Sequence, residues 1–380
     1  RWYYYLIGYL LTGLTGSLAF GAVYPTAQGP LIGASGAIAG LMGAYGLLYA
    51  RTKIRVFYSL GFYFDYANLP GWVLFPFWLG NEFFQLFLDP TMMYSSAWFE
   101  HEGQSLEAAS RAKLDRICRK LDLSADDRVI EIGTGWGGFA IHAAKHYGCH
   151  VTTTTISRQQ YEWAERAIRD EGLEDRITLL FEDYRDLEGQ FDKLVSIEMI
   201  EAVGHEFHET FFRKCAELLK PSGQMLLQAI TIADQQYDSY RKSVDFINRY
   251  IFPGGCLTSV TGLTATMTRV TDMRAVHVED IGPHYARTLA EWRRRFFAML
   301  DRVRELGYSE EFIRMWHYYL AYCEGGFAER AIGNVHMLIM RPEARPLLAE
   351  DVALAGADPL ANPPAPLERL IFESASASSA

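Results

Sequence analysis

Three different rhythms of apolar and polar positions run along this 380-residue chain, and each predicts a different architecture. Residues 2–24 and 31–50 are almost uncharged and rich in Tyr, Leu and Gly; residues 70–88 are similar apart from Glu82. The first two runs reach the roughly 20 residues that a helix needs to cross a bilayer. Gly33, Gly36 and Gly40 would let such helices approach closely. Arg51-Thr52-Lys53-Ile54-Arg55 follows the second run and favours a cytoplasmic loop there. The rhythm then changes. A helix is expected from about Leu106 to Leu121, and short apolar runs then alternate with helical patterns. They predict strands at 128–132, 150–155, 177–181, 193–198 and 224–231. Such regular alternation implies an α/β fold with a doubly wound parallel sheet. Residues 236–340 are richer in aromatics at helical spacing and are expected to form a helical cover over the sheet's carboxyl edge. The tail from about Pro342 is rich in Ala, Pro and Ser, which predicts a flexible extension.

Chemistry concentrates first in Val129-Ile130-Glu131-Ile132-Gly133-Thr134-Gly135-Trp136-Gly137-Gly138. An apolar run followed by glycines at alternate positions predicts a buried parallel strand that turns sharply into a helix. Glycine tolerates positive φ and lets a ligand approach the main chain. The turn would sit at the carboxyl end of a strand, where open α/β sheets bind nucleotides. Its G-x-G-x-G-G spacing differs from the dinucleotide pattern, and no Gly-Lys-Ser/Thr follows. That argues against a phosphate cradle and for S-adenosylmethionine (SAM). The formal charge of −10 is uneven: residues 1–88 hold four Lys/Arg and two Asp/Glu, and the remainder holds 32 and 44. An acidic body without a basic run makes nucleic acid an unsuitable partner. The five cysteines, Cys118, Cys149, Cys215, Cys256 and Cys323, are widely spaced and include no C-x-x-C pair. They imply reduced thiols, with neither a disulfide framework nor a zinc site. The chain begins at Arg1, which reads as a fragment or a processed product.

Within the amino-terminal region, Gly33-Ala34-Ser35-Gly36 resembles the serine motif of rhomboid intramembrane proteases, loosely over residues 1–78. Cleavage by that family requires a histidine on a later membrane helix to activate the serine. No histidine precedes His101, so Ser35 reads as a helix-packing serine, and the segment as a transmembrane helical fragment. A non-catalytic module that binds client proteins is the alternative from another class.

From about Leu79 to Arg341 the chain resembles the cyclopropane-fatty-acyl-phospholipid synthase family, which includes the mycolic acid cyclopropane synthases. Besides the glycine turn, the matching motifs are Thr155-Ile156-Ser157-x-x-Gln160, Asp183-Tyr184-Arg185-Asp186-Leu187 and Glu201-Ala202-Val203-Gly204. Further on come Arg249 to Leu257 and His284-Tyr285-x-x-Thr288-Leu289-x-x-Trp292. The resemblance implies a class I SAM-dependent methyltransferase fold over residues 79–341, preceded by the membrane fragment and followed by the tail at 342–380. It implies methylene or methyl transfer to the cis double bond of an unsaturated phospholipid acyl chain, closing a cyclopropane ring. A methyl-branched or methylene product from the same cofactor is the alternative.

Under that resemblance the cofactor site comprises Tyr94, Ser95, Glu131, Gly133, Gly135, Gly137, Thr155, Gln160, Asp183 and Tyr184. Glu131 would accept from the cofactor's amino group or brace the loop. Asp183 would accept from the adenine amino group, with Tyr184 packing on the ring. The transfer passes through a carbocation, which suits a dry, aromatic-lined pocket. The family's base is bicarbonate, and its holding groups fall on Ser96, Glu201, Gln228, Ile230 and Tyr285, with Cys323 near the site. Ser96 stands where the family often has cysteine, and Gln228 where many members have histidine, which puts ring closure in question more than methyl transfer. Glu324 is a candidate for an altered base network. The implied setting is the cytoplasmic face of the inner membrane, with the enzyme acting on its lipid there and a homo-oligomer as a further expected partner.

Overall fold

The computed structural model describes residues 53–60, 63–70, 83–252 and 254–345. The chain divides into two units, Arg1–Phe84 and Gln85–Ala380. In the first, β1 (Lys53–Leu60) and β2 (Tyr63–Pro70) pair antiparallel, with Lys53 opposite Pro70 and Leu60 opposite Tyr63. Within the segment expected to be a transmembrane helical fragment, these residues after the second span are therefore strands rather than helix. The two segments are rich in β-branched and aromatic residues, including Ile54, Val56, Phe57, Tyr63, Phe64 and Tyr66, which favour a pleated ladder. The expected spans at 2–24 and 31–50, Ser35 with its glycines, residues 71–82 and the tail beyond Arg345 lie outside the described residues. Among the described residues, no helix is long and apolar enough to cross a membrane.

The second unit is built on a seven-stranded sheet of order β5-β4-β3-β6-β7-β9-β8. The strands are β3 (Arg128–Ile132), β4 (His150–Thr154), β5 (Ile177–Leu180), β6 (Phe191–Ile197), β7 (Leu219–Ile232), β8 (Arg274–Asp280) and β9 (Ile332–Met340). The five expected strands all form, and β3 to β7 run parallel. The sheet as a whole is mixed, because β9 pairs antiparallel with both β7 and β8. Residues 236–340 therefore supply two strands as well as a helical cover, which corrects the all-parallel expectation. A short apolar run such as Val335 to Met340 looks the same whether it is a buried strand or a buried helix turn, so periodicity did not resolve it.

Strand alternation sorts the core into two layers. On one face Val129, Val151, Val195, Leu226 and Leu338 meet α1 (Leu106–Lys120), α2 (Gly138–Tyr147) and α3 (Arg158–Asp170). On the other, Ile130, Ile132, Leu194, Met225, Leu227 and Met337 join a core with α4 (His208–Leu218). The short helices α5 (Asp234–Tyr240) and α6 (Phe246–Tyr250) follow β7, and α7 (Val260–Val270) completes that second layer through Leu263 and Met267. The cover comprises α8 (Gly282–Ala298), α9 (Leu300–Glu305) and α10 (Glu310–Ala328). Local signals set the helix starts: the Ser105, Ser157 and Ser309 hydroxyls accept from Ala108 N, Gln160 N and Phe312 N. Because β9 runs against the parallel strands, its first residues lie at the same sheet edge as the last residues of β6 and β7.

Phe211 is fully buried, edge-on to both Tyr184 and Phe212. Phe211→Ala is expected to cost about 3–5 kcal/mol of stability, seen as a lower urea midpoint; an unchanged midpoint would contradict this account of the second layer.

Candidate active site

The glycine turn leaves β3 with its backbone pinned to β4: Gly133 N and Thr134 N donate to Thr154 O at 3.2 and 2.9 Å. Gly135 has φ +53, and a Cβ built there would lie 3.1 Å from the Tyr94 ring. Positive φ and the close ring together select glycine. Beneath the turn, Thr153 Oγ1 donates to Glu131 Oε2 at 2.6 Å, and burial pushes the Glu131 carboxyl up to about 8. Glu131 therefore braces the loop. Lys113, fully buried on α1, donates to Ser95 Oγ at 2.9 Å and ties down the segment that carries Tyr94 and Ser96. Burial lowers Lys113 to about 8, opposed by the charges of Glu198, Asp89 and Glu131. Past β4, Thr155 Oγ1 donates to Gln160 Oε1 at 3.0 Å, and Gln160 Nε2 donates to Tyr94 OH at 3.3 Å. Tyr94, Gly135, Thr155 and Gln160 thus come together. Asp183 and Tyr184, beyond β5, are engaged differently. Asp183 accepts 2.8 Å bonds from Arg185 Nε and Nη2, and this pairing holds its carboxyl below the usual range. Tyr184 packs edge-on against Phe211.

The centre of the second half of the site is Glu198, a residue absent from the sequence-based set. It follows β6 with φ +48, a left-handed backbone rare outside glycine. Its own N–H donates to Gln228 O at 2.8 Å. Oε1 accepts from Ser96 N at 3.1 Å, Gln228 Nε2 at 2.7 Å and Asn334 Nδ2 at 2.5 Å; Oε2 accepts from Tyr285 OH at 2.8 Å. Four donors from four separate parts of the chain converge on one carboxylate. Burial raises its pKa while these bonds oppose the rise.

Three of the five groups matched to anion binding, Ser96 N, Gln228 and Tyr285, therefore meet Glu198. The other two meet each other: Ile230 N donates to Glu201 Oε1 at 2.5 Å. Glu201 Oε2 is sealed from solvent without a partner. Burial and the neighbouring Glu198 push Glu201 up to about 8. With four donors against one, the charged form is better held on Glu198 than on Glu201. Cys323, on α10, is pushed up to about 12 by burial, which leaves an unreactive thiol. Glu324 does not join this group: Arg293 holds it in a bidentate pair at 2.7 and 3.0 Å.

Aromatic rings flank the carboxylate. Tyr285 stacks on Phe327 with centroids 4.4 Å apart and meets Trp292 edge-on at 6.1 Å. Tyr319 is also buried, with Phe252 edge-on at 6.0 Å. Such faces are apolar yet electron-rich, so they exclude water and favour a cation. Sequence reasoning missed Glu198, Asn334 and Lys113. Glu198 ends the 193–198 run at the sheet's carboxyl edge, a position that carries function in such folds, and the family motif three residues on drew the assignment to Glu201. Asn334 had a weaker signal, a polar residue inside an apolar strand.

Comparison with known proteins identifies the family. Residues 76–337 match the family described as mycolic acid cyclopropane synthetase, and residues 2–102 match the Rhomboid domain. The tuberculostearic acid methyltransferase UfaA1 of Mycobacterium tuberculosis is 39% identical over 256 residues, 66% of this chain and 60% of its own. The cyclopropane-fatty-acyl-phospholipid synthase of Escherichia coli is 42% identical over 255 residues, 67% of this chain and 63% of its own. The chain thus spans somewhat under two thirds of the length of these curated relatives. Among solved structures, the cyclopropane synthase MmaA2 from Mycobacterium tuberculosis superposes with a TM-score of 0.64 at 28% identity, covering 70% of this chain and 95% of that one. The cyclopropane synthase CmaA1, solved with S-adenosylhomocysteine (SAH), gives 0.65 at 29%, covering 69% and 94%. With the family matched over more than half its length, this chain belongs to the mycolic acid cyclopropane synthetase family.

Proposed function

We propose that this protein transfers a methyl group from SAM to the cis double bond of an unsaturated phospholipid acyl chain, and that Glu198 removes a proton from the resulting cation to close a cyclopropane ring. The observation that carries this reading is the Glu198 carboxylate held by four donors beside an aromatic wall. SAM fits the other half of the site: Gly135 leaves the main chain bare, and Thr155, Gln160 and Tyr94 offer polar groups around it. When bound, SAM supplies an electrophilic methyl whose addition to the alkene leaves positive charge on the acyl chain. Tyr285, Trp292 and Phe327 keep that charge away from water. Glu198 accepts one proton from the added methyl, and the C–H electron pair closes the ring.

Bicarbonate does not fit this donor set. Ser96 N, Gln228 Nε2 and Tyr285 OH already serve Glu198, and Ile230 N serves Glu201. A further anion would be set against the Glu198 carboxylate, with Ser96 N, Tyr285 OH and Ile230 N already engaged. A second reading keeps the same cation and places the new double bond at the added carbon, giving a methylene branch. One relative is named a tuberculostearic acid methyltransferase rather than a cyclopropane synthase, which supports a product other than the ring. The Rhomboid match over residues 2–102 supports membrane association of the amino-terminal part.

Incubation with SAM carrying a labelled methyl and with unsaturated phospholipid vesicles is expected to yield labelled acyl chains. NMR of the product distinguishes ring from branch, which have equal mass. Glu198→Gln should lower turnover at least about 100-fold while retaining SAH binding; full activity would remove Glu198 from the mechanism. Gly135→Ala should weaken SAH binding at least about tenfold, because the new Cβ strains the turn and meets Tyr94; unchanged affinity would overturn the cofactor assignment. The base works ionised and its pKa is raised above 4.5. Turnover should therefore fall as pH drops, with an acid limb above the ordinary carboxylate range that Glu198→Gln abolishes.

A further inference from the structure

Behind Glu198 a second set of polar groups crosses the sheet in a single line. Gln228 on β7, His336 on β9 and Glu279 on β8 are direct register partners. Gln228 and His336 are completely buried, next to Leu227 and Ala229 on one strand and Val335 and Met337 on the other. Buried polar groups in such a layer are costly unless each bond is made. Here each is made. Gln228 Nε2 lies 2.7 Å from Glu198 Oε1, and Gln228 Oε1 lies 3.0 Å from His336 Nε2. His336 Nδ1 lies 3.3 Å from Lys120 Nζ, at the end of α1. Lys120 Nζ also donates to Glu279 Oε2 at 2.5 Å, and Glu279 is paired in turn with Arg116.

The two ends fix the direction of this chain. An ammonium can only donate and a carboxylate can only accept. Lys120 therefore donates to Nδ1, which leaves the His336 proton on Nε2. That proton goes to Gln228 Oε1, so the NH2 group of the amide must face Glu198. Turned over, the amide would set its carbonyl against the carboxylate and its NH2 against the imidazole N–H. We propose that His336 and Lys120 are positioning residues for the reaction, holding the Gln228 amide in the one orientation that donates to Glu198. The proposal rests on Glu198 being the base. Neither residue was singled out by sequence or by the family motifs, and neither bonds to Glu198 itself.

The charges around the line are consistent with it. Burial and the nearby Lys120, Lys113, Arg116 and His277 hold His336 well below its ordinary pKa, so the ring is neutral. Burial lowers Lys120 to about 8, with Glu279 opposing, so the amine stays charged at neutral pH. Facing Glu198 from other elements are Lys113 on α1, Glu201 after β6, Tyr94 before α1, Tyr285 on α8 and Tyr319 on α10. None of these changes in the variants below. Losing the Gln228 donor removes a bond to the charged form of Glu198, which raises its pKa.

The test uses the full chain with labelled-methyl SAM and unsaturated phospholipid vesicles. His336→Phe and Lys120→Met should each lower kcat by about tenfold or more, leave SAH affinity and KM for SAM unchanged, and move the acid limb of the kcat profile to higher pH. The double variant should be no worse than His336→Phe, since both cut one chain. His336→Gln and Lys120→Arg, which keep a donor and acceptor or a pure donor in place, should recover most of the rate. Lower melting temperatures with wild-type kcat and an unmoved acid limb would reduce the line to a structural role and overturn the proposal. If the wild type transfers no label to acyl chains, the methyl-transfer reading itself fails and the proposal falls with it. Label transfer by the wild type with unaffected variants overturns the positioning role alone.

Discussion

One carboxylate organises the reactive half of this molecule. Glu198 draws a backbone amide from the segment before α1, an amide side chain from each of β7 and β9, and a phenol from α8. These are elements far apart in sequence, and a displacement of any of them loosens the others through the shared oxygen atoms. The left-handed backbone at Glu198 is the local cost of this arrangement, on the order of 1–3 kcal/mol for a residue with a side chain. Such strain persists only where surrounding contacts over-determine it, and here the four donors together with the Gln228 carbonyl do so.

The electrostatic arrangement follows from that centre. Glu201 lies close enough to feel the charge of Glu198 and resolves the conflict by staying protonated. Lys113 supplies the nearby buried cation, within electrostatic reach of Glu198, while it holds Ser95. The cover helices bring aromatic faces instead of further charge. A developing carbocation would therefore meet one anion, neutral carboxyl groups and π-faces, with little water. The cofactor half is adjacent by topology, since β3 with its glycine turn is the direct neighbour of β6 in the sheet. Met199, next to Glu198, is the side chain that a Cβ at Gly133 would touch at 3.0 Å.

Much of the parallel half of the fold was legible because its signals are local. Glycines at fixed spacing, serine caps and short apolar runs announce strand, turn and helix without reference to distant residues. The antiparallel half was hidden: β8 is an edge strand with alternating exposure, and β9 is an apolar run flanked by helices. The glycine turn, Thr155 with Gln160, and the convergence of Ser96, Gln228 and Tyr285 could be read from motifs. What they converge upon could not. Glu198 sits three residues before a stronger motif, and its partners Asn334 and His336 come from a strand that periodicity did not reveal. In the amino-terminal unit the uncharged runs that suggested membrane helices lie outside the described residues, and Lys53–Leu60 pairs antiparallel with Tyr63–Pro70.

Under the proposed reading Glu198 itself takes the proton, and turnover needs no bicarbonate ion. Turnover measured in buffer stripped of carbon dioxide and carbonate, then with bicarbonate added back, tests it most directly. The same rate is expected in both; a rate that collapses on stripping and returns with bicarbonate would remove Glu198 as the base.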